Sequence, residues 1–151
     1  MSERWLLVAS SGGHLRHLLW LRELWADVDR RWVTFDTPDA RAALADEAVD
    51  FAAFPTNRSL KNLAINTVLA GRVLRAHRPT LVISAGAAVA VPFLGVAVAL
   101  GVPTVHLEVY DRVDRPAWTT RLVAPWVDRL ILQWPAQRAA LGRGVVLGPI
   151  R

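Results

Sequence analysis

The chain has 151 residues, enough for one domain with a substantial core and too few for two domains of ordinary size. It has no cysteine, which excludes a disulfide framework and a thiolate metal site. Its net charge of +5 comes almost entirely from arginine and suggests an anionic partner, but no nucleic-acid-binding motif is present. None of the four histidines stands in a metal-binding spacing with carboxylates, so we expect no metal. They are His14, His17, His77 and His106.

A glycine loop, Ser10–His14, follows the first predicted strand (residues 5–9) and precedes a predicted helix (residues 15–25). A strand that turns through glycine into a helix presents unpaired backbone N–H groups and the positive end of the helix dipole, which favour a phosphate. Ser11, Gly12 and Gly13 are therefore candidate binding residues. His14 stands at the carboxyl end of the strand, where open parallel sheets place their ligands. The alternative is a simple glycine turn with a surface histidine.

Strands and helices alternate along the rest of the chain, which predicts a single α/β domain over residues 1–151 with a Rossmann-like, doubly wound parallel sheet. The predicted strand order is 3-2-1-4-5-6, with a seventh strand at the edge. The further strands are predicted at 31–35, 49–54, 81–84, 104–107, 130–134 and 145–147. The further helices are predicted at about 38–45, 59–76, 88–100, 119–126 and 135–141, the second of them capped by Asn57 or Ser59.

The stretch from Pro79 to His106 has no charged residue, which in a simple hydropathy scan resembles a transmembrane helix. Glycines and prolines divide it, however, into strand, helix and strand, as in a parallel sheet that is buried on both faces. The N-terminus has no signal-peptide pattern, so a cytoplasmic location is expected.

The predicted helix 59–76 has a mixed basic and aliphatic face. Arg58, Lys61, Arg72 and Arg75 fall on one side, with Ile65, Val68 and Leu69 between them. Such a face suits an anionic membrane surface. The alternative is a solvated arginine face with a few exposed aliphatic residues.

Four segments occur in an order that resembles a known family. They are Gly12-Gly13-His14, the turn Ser84-Ala85-Gly86 with Val91-Pro92-Phe93 after it, His106–Val113, and Asp128–Pro135. Together they resemble the membrane-associating subunit of the two-part N-acetylglucosaminyltransferase of dolichol-linked oligosaccharide synthesis, and its bacterial exopolysaccharide counterparts. More distantly, the chain is similar to the N-terminal half of the peptidoglycan N-acetylglucosaminyltransferase.

The resemblance implies the acceptor-side half of a GT-B glycosyltransferase, and Gly148–Arg151 looks like the segment where one-chain relatives pass into their second domain. It implies a separate C-terminal GT-B-type subunit that binds the UDP-sugar, a lipid-linked acceptor and no cofactor. Eukaryotic relatives carry a transmembrane anchor that this sequence lacks. We therefore expect peripheral attachment to the inner face of the cell membrane through the basic helix. The sugar is N-acetylglucosamine or another that bacterial counterparts use.

An inverting transfer needs a base that takes the proton of the acceptor hydroxyl. His14 and Glu108, both at the ends of predicted strands, are the two candidates, and His14 is slightly favoured. Glu108 has an alternative role as an ion-pair partner of Arg112 or Arg115. Backbone donors in the glycine loop and in the second turn, Ser84 to Gly86, would bind a diphosphate with help from Arg112.

Two other interpretations remain. A noncatalytic membrane scaffold that recruits a catalytic partner would share the fold and the basic helix but would not require His14 or Glu108. A free-standing nucleotide-binding module is weaker, because the chain lacks a Gly-x-Gly-x-x-Gly loop and Asp36 alone is poor evidence for a ribose contact.

Overall fold

Strands and helices alternate throughout the computed structural model, which describes residues 2–150. The strands are β1 (Arg4–Val8), β2 (Asp29–Phe35), β3 (Val49–Ala52), β4 (Leu81–Ser84), β5 (Thr104–Leu107), β6 (Arg129–Leu132) and β7 (Val145–Val146). The helices are α1 (Gly13–Trp20), α2 (Arg22–Trp25), α3 (Pro38–Ala43), α4 (Leu60–His77), α5 (Ala90–Ala99), α6 (Trp118–Val123) and α7 (Pro135–Leu141).

All the strands pair in parallel in one sheet of order β3-β2-β1-β4-β5-β6-β7. This confirms the predicted α/β class and strand order. The order reverses between β1 and β4, so the loops after these two strands open a crevice at the carboxyl edge of the sheet. The glycine loop and the turn after Ser84 lie at this point.

The sheet is buried on both faces because neighbouring residues of each strand point to opposite sides. In β1, Leu6 and Val8 pack into a core that includes Phe93 of α5, while Leu7 packs into a second core with Trp32. Helices α1 to α3 cover the second core, and α4 to α6 cover the first. Two covered faces explain why the uncharged stretch is sheet and helix rather than a membrane span. Within residues 2–150, no helix is both long enough and apolar enough to cross a bilayer.

The prediction of one continuous first helix is wrong, because the helix is interrupted at Leu21 and forms α1 and α2. The carbonyl of Leu18 accepts the N–H of Leu21 at 3.1 Å and the indole N–H of Trp25 at 2.8 Å. With these two donors the chain tightens into a 3₁₀-like turn instead of continuing the α-helical ladder.

Two other element boundaries follow from side-chain hydrogen bonds. Strand β6 ends at Leu132, before the predicted Trp134, because the amide oxygen of Gln137 accepts the N–H groups of Gln133 and Trp134 and starts α7. Of the two predicted caps of α4, the structure uses Ser59, whose hydroxyl accepts the N–H of Asn62 at 3.2 Å.

Candidate functional site

The glycine loop turns sharply from β1 into α1. Gly12 has a φ of +79°, which a residue with a side chain rarely adopts, and α1 begins at the next residue. The N–H of Gly12 donates to the carboxylate of Asp39 at 3.2 Å, so one of the predicted phosphate donors already has an anionic partner. The donors left for a ligand are those of the first turn of α1, which have no acceptor within the helix.

His14 is half-buried and held in one orientation. Its Nδ1 lies 2.8 Å from the carbonyl oxygen of Ala85, just beyond β4. Because a carbonyl only accepts, Nδ1 carries the hydrogen, and in the neutral ring the lone pair is therefore on Nε2. The geometry therefore gives His14 the tautomer that a general base needs.

The turn after β4 makes room for the His14 ring. Gly86 has a φ of +103°, and a Cβ at this position would lie 3.2 Å from Nδ1 of His14. Ser84 is fully buried, and its hydroxyl accepts the N–H of Gly86 at 3.0 Å. The two residues thus shape the support of His14, and neither lines the cleft described next.

His14 lines a cleft of about 460 Å³ at the carboxyl edge of the sheet. Three predicted site residues meet there: Gly13, His14 and Arg112. Ser11 and Gly12 belong to the adjoining loop but do not line it. The cleft also contains residues that the sequence analysis did not assign, among them His17, Asn57, Tyr110 and Trp118.

Glu108 does not face this cleft. Its side chain is 1% exposed, and its two carboxylate oxygens accept the N–H groups of Val109 at 2.8 Å and Ala117 at 2.7 Å. These residues are the two ends of the 109–117 loop, so Glu108 closes the loop. The partners of its carboxylate are backbone amides rather than Arg112 or Arg115.

Buried glutamines hold the same loop against β6 and α7. Gln137 donates to the carbonyl oxygens of Arg112 at 2.8 Å and Val109 at 3.3 Å, and Gln133 donates to that of Glu108 at 2.8 Å. These hydrogen bonds hold the side of the loop that faces β6 and α7, from which Arg112 reaches the cleft. Gln133 belongs to the predicted segment Asp128–Pro135 and Gln137 lies two residues beyond it, but no local pattern indicated their partners.

His106 lies beneath the cleft in β5 and is fully buried. Its Nε2 is 2.8 Å from the hydroxyl of Thr120, and burial, followed by the charge of His14, lowers its pKa from 6.5 to about 3. His106 therefore stays neutral at physiological pH.

A second, apolar cavity of about 260 Å³ adjoins the cleft, and Ala88, Trp118 and Thr119 line both. Its apolar walls come from the start of α4, from α5 and from α6. They are Leu60, Leu63, Val91, Pro92, Trp118 and Leu122. The side chains of Leu60 and Trp118 are 83% and 77% exposed, so large apolar groups face solvent beside the cleft.

The predicted basic face of α4 is exposed. Lys61, Arg72 and Arg75 of α4 are all at the surface, and Ile65 and Val68 between them are 45% and 66% exposed. Arg58 is exposed too, but it lies two residues before α4 with a φ of +54°, so it is not part of the helix face and instead lines the apolar cavity. Leu69 is half-buried against the first core.

Comparison with solved structures finds this fold in other proteins. MurG of Acinetobacter baumannii aligns at a TM-score of 0.76 and 17% identity, over 89% of this chain and 43% of that one. The UDP-GlcNAc 2-epimerase of Methanocaldococcus jannaschii aligns at 0.73 and 12% identity, over 93% and 42%. The spinosyn rhamnosyltransferase SpnG, solved with thymidine diphosphate, aligns at 0.52 and 14% identity, over 96% and 49%.

The sequence matches no protein-family model and no curated protein. At the identities above, the similarity shows the fold, and it confirms the predicted Rossmann-like domain of the GT-B N-terminal type. The chain spans less than half the length of each of the three solved proteins.

Proposed function

We propose that this chain is the acceptor-side subunit of a split, inverting glycosyltransferase. It would transfer a sugar, N-acetylglucosamine in the first instance, from a UDP-sugar to a lipid-diphosphate-linked acceptor. The observation that carries the proposal is the oriented His14: Nδ1 donates to Ala85, and the ring lines a cleft at the carboxyl edge of the sheet.

In the proposed reaction Nε2 of His14 takes the proton of the acceptor hydroxyl. The hydroxyl oxygen then forms a bond to the anomeric carbon of the sugar, the bond from that carbon to the UDP oxygen breaks, and UDP leaves with the electron pair. The first-turn amides of α1 and the side chain of Arg112 would bind the diphosphate of the acceptor. Glu108 has a structural role in this scheme.

The surface beside the cleft supports a lipid-linked acceptor and a peripheral position on the cytoplasmic face of an anionic membrane. Basic side chains of α4 would bind lipid headgroups at about 1 kcal/mol each. The exposed apolar residues around Leu60 and Trp118 would enter the interface, where tryptophan is favoured.

The donor site belongs, in this proposal, to a separate C-terminal GT-B-type subunit. MurG and SpnG are glycosyltransferases whose chains are more than twice as long as the part that this fold covers. The proposed heterodimer would bring the two halves together around the cleft.

The test is transfer of radiolabelled N-acetylglucosamine from its UDP form to a short polyprenyl-diphosphate-linked sugar. We expect transfer when the chain is combined with the donor-binding subunit, and none from the chain alone. His14→Ala should lower kcat by roughly 100-fold or more, the usual worth of a positioned base, while subunit binding persists. Robust transfer by the isolated chain would refute the split enzyme.

The second candidate is the membrane scaffold, and the exposed surface of α4 and Trp118 supports it equally. The same assay separates the two functions. If His14→Ala retains near-full transfer in the pair, the chemistry belongs to the partner and this chain is a scaffold.

A further inference from the structure

His17 joins the two walls of the cleft. It lies one helical turn beyond His14 on α1 and is 4% exposed. Its Nδ1 is 2.9 Å from the carbonyl oxygen of Gly13, and its Nε2 is 3.3 Å from the backbone N–H nitrogen of Tyr110. Within residues 2–150, the hydrogen bond between Tyr110 and His17 is the one that connects α1 to the 109–117 loop.

These two contacts select one form of the ring. The carbonyl of Gly13 requires a hydrogen on Nδ1, and the N–H of Tyr110 requires a lone pair on Nε2. Only the neutral imidazole with its hydrogen on Nδ1 satisfies both. The protonated ring would direct an N–H at another N–H.

Aromatic packing holds the same arrangement. The ring of His17 lies 5.1 Å from that of Trp20 and 5.6 Å from that of Tyr110, measured between centroids. The other side of the loop is hydrogen-bonded to α7 and to the residue that caps it. Gln137 donates to the carbonyl of Arg112, and the indole of Trp134 donates to the carbonyl of Tyr110. On the α1 side the hydrogen bond comes from His17, and Trp20 adds an edge contact with Tyr110 at 6.4 Å between ring centroids.

We propose that neutral His17 is a positioning residue. Its hydrogen bond with Tyr110, called the latch below, holds the 109–117 loop against α1 and so sets the distance between the two walls of the cleft. One wall carries His14, and the other carries Arg112. This role deepens the proposed function, because an acceptor held between the walls would bind less well once they separate.

The sole tyrosine of the chain makes the latch measurable without any substrate. Long-range nitrogen–proton spectra of the histidine rings report the tautomer of His17, amide hydrogen exchange reports the N–H of Tyr110, and 3-fluorotyrosine gives one fluorine signal from the loop. His17→Phe keeps a planar ring and removes both hydrogen bonds. His17→Gln keeps an acceptor that can reach Tyr110.

We expect the Nδ1–H tautomer in the wild type at pH 7.5. In His17→Phe we expect at least tenfold faster exchange of the Tyr110 amide and a shifted fluorine signal, with both effects smaller in His17→Gln. In the reconstituted pair, His17→Phe should raise the KM for the polyprenyl-diphosphate acceptor about tenfold, the worth of one hydrogen bond, with kcat changed less than about threefold and with partial rescue by His17→Gln.

A different tautomer, unchanged exchange in His17→Phe, or faster exchange with an unchanged acceptor KM would each overturn the proposal. A wild-type pair that shows no transfer would refute the proposed function instead. The spectra need no substrate, so they would still confirm or refute the latch in that case.

Discussion

The buried histidine of β5 should make the stability of this protein depend on pH. In the folded chain the pKa of His106 is lowered from 6.5 to about 3, first by burial and then by the charge of His14. Between these two values the unfolded chain binds a proton that the folded chain does not bind. This contribution to stability is therefore complete above pH 6.5 and is lost as the pH falls toward 3.

The size of the effect follows from the shift. Each pH unit below 6.5 costs up to about 1.4 kcal/mol, so lowering the pH to 5.0 costs about 2 kcal/mol from His106 alone. Carboxylates with lowered pKa values, such as Asp36 and Asp128, lose their contribution only at lower pH and do not interfere in this range.

Urea unfolding at pH 7.5 and pH 5.0 measures this loss, and His106→Gln supplies the control because glutamine does not titrate. We expect the wild type to lose about 2 kcal/mol more than His106→Gln between the two pH values. Equal losses in the two proteins would show that His106 titrates normally in the folded chain, and the argument from burial would be wrong.

Two further predictions concern the membrane surface and the support of His14. Arg72→Glu with Arg75→Glu should abolish salt-sensitive cosedimentation with vesicles that contain anionic lipid, because each arginine near the surface contributes about 1 kcal/mol to binding. Unchanged binding would favour a solvated arginine face. The matched control reverses two exposed arginines of other elements, Arg22 and Arg129. Gly86→Ala should cost roughly 1–3 kcal/mol in urea unfolding, because its φ is +103°, and should also displace the His14 ring. Gly101→Ala, where φ is +70° but a Cβ meets nothing within 4 Å, shares the backbone strain and should leave the ring in place; an undisturbed His14 ring in Gly86→Ala would contradict the close approach.

Most of the fold could be predicted because its signals are local. Buried parallel strands are short apolar runs, and turn residues separate them from the helices, so the strand order followed from pattern alone. The pattern narrowed the α4 cap to Asn57 or Ser59, and the structure shows Ser59. The break at Leu21 could not be predicted, since it depends on the indole of Trp25 reaching back to a carbonyl seven residues earlier.

The site was predicted in part for the same reason. The glycine loop and His14 are adjacent in sequence, and the chain marks them with two glycines after a strand. The contact of His17 with Tyr110 spans 93 residues, and that of Gly12 with Asp39 spans 27. The spacing of His17 three residues after His14 was the available signal that both rings share a helix face.

Glu108 stands at the end of a strand, as a catalytic base of this fold could, but the contacts of its carboxylate are those of a loop support. Its two oxygens satisfy two backbone N–H groups that would otherwise be buried without partners, at a cost of about 1–3 kcal/mol each. Glutamine has one acceptor oxygen, so Glu108→Gln should leave one of these groups unpaired and loosen the loop that carries Tyr110 and Arg112. A loss of transfer in that variant implies a catalytic role only if the fluorine signal of Tyr110 is unchanged, because a displaced loop would lower transfer without any proton passing through Glu108.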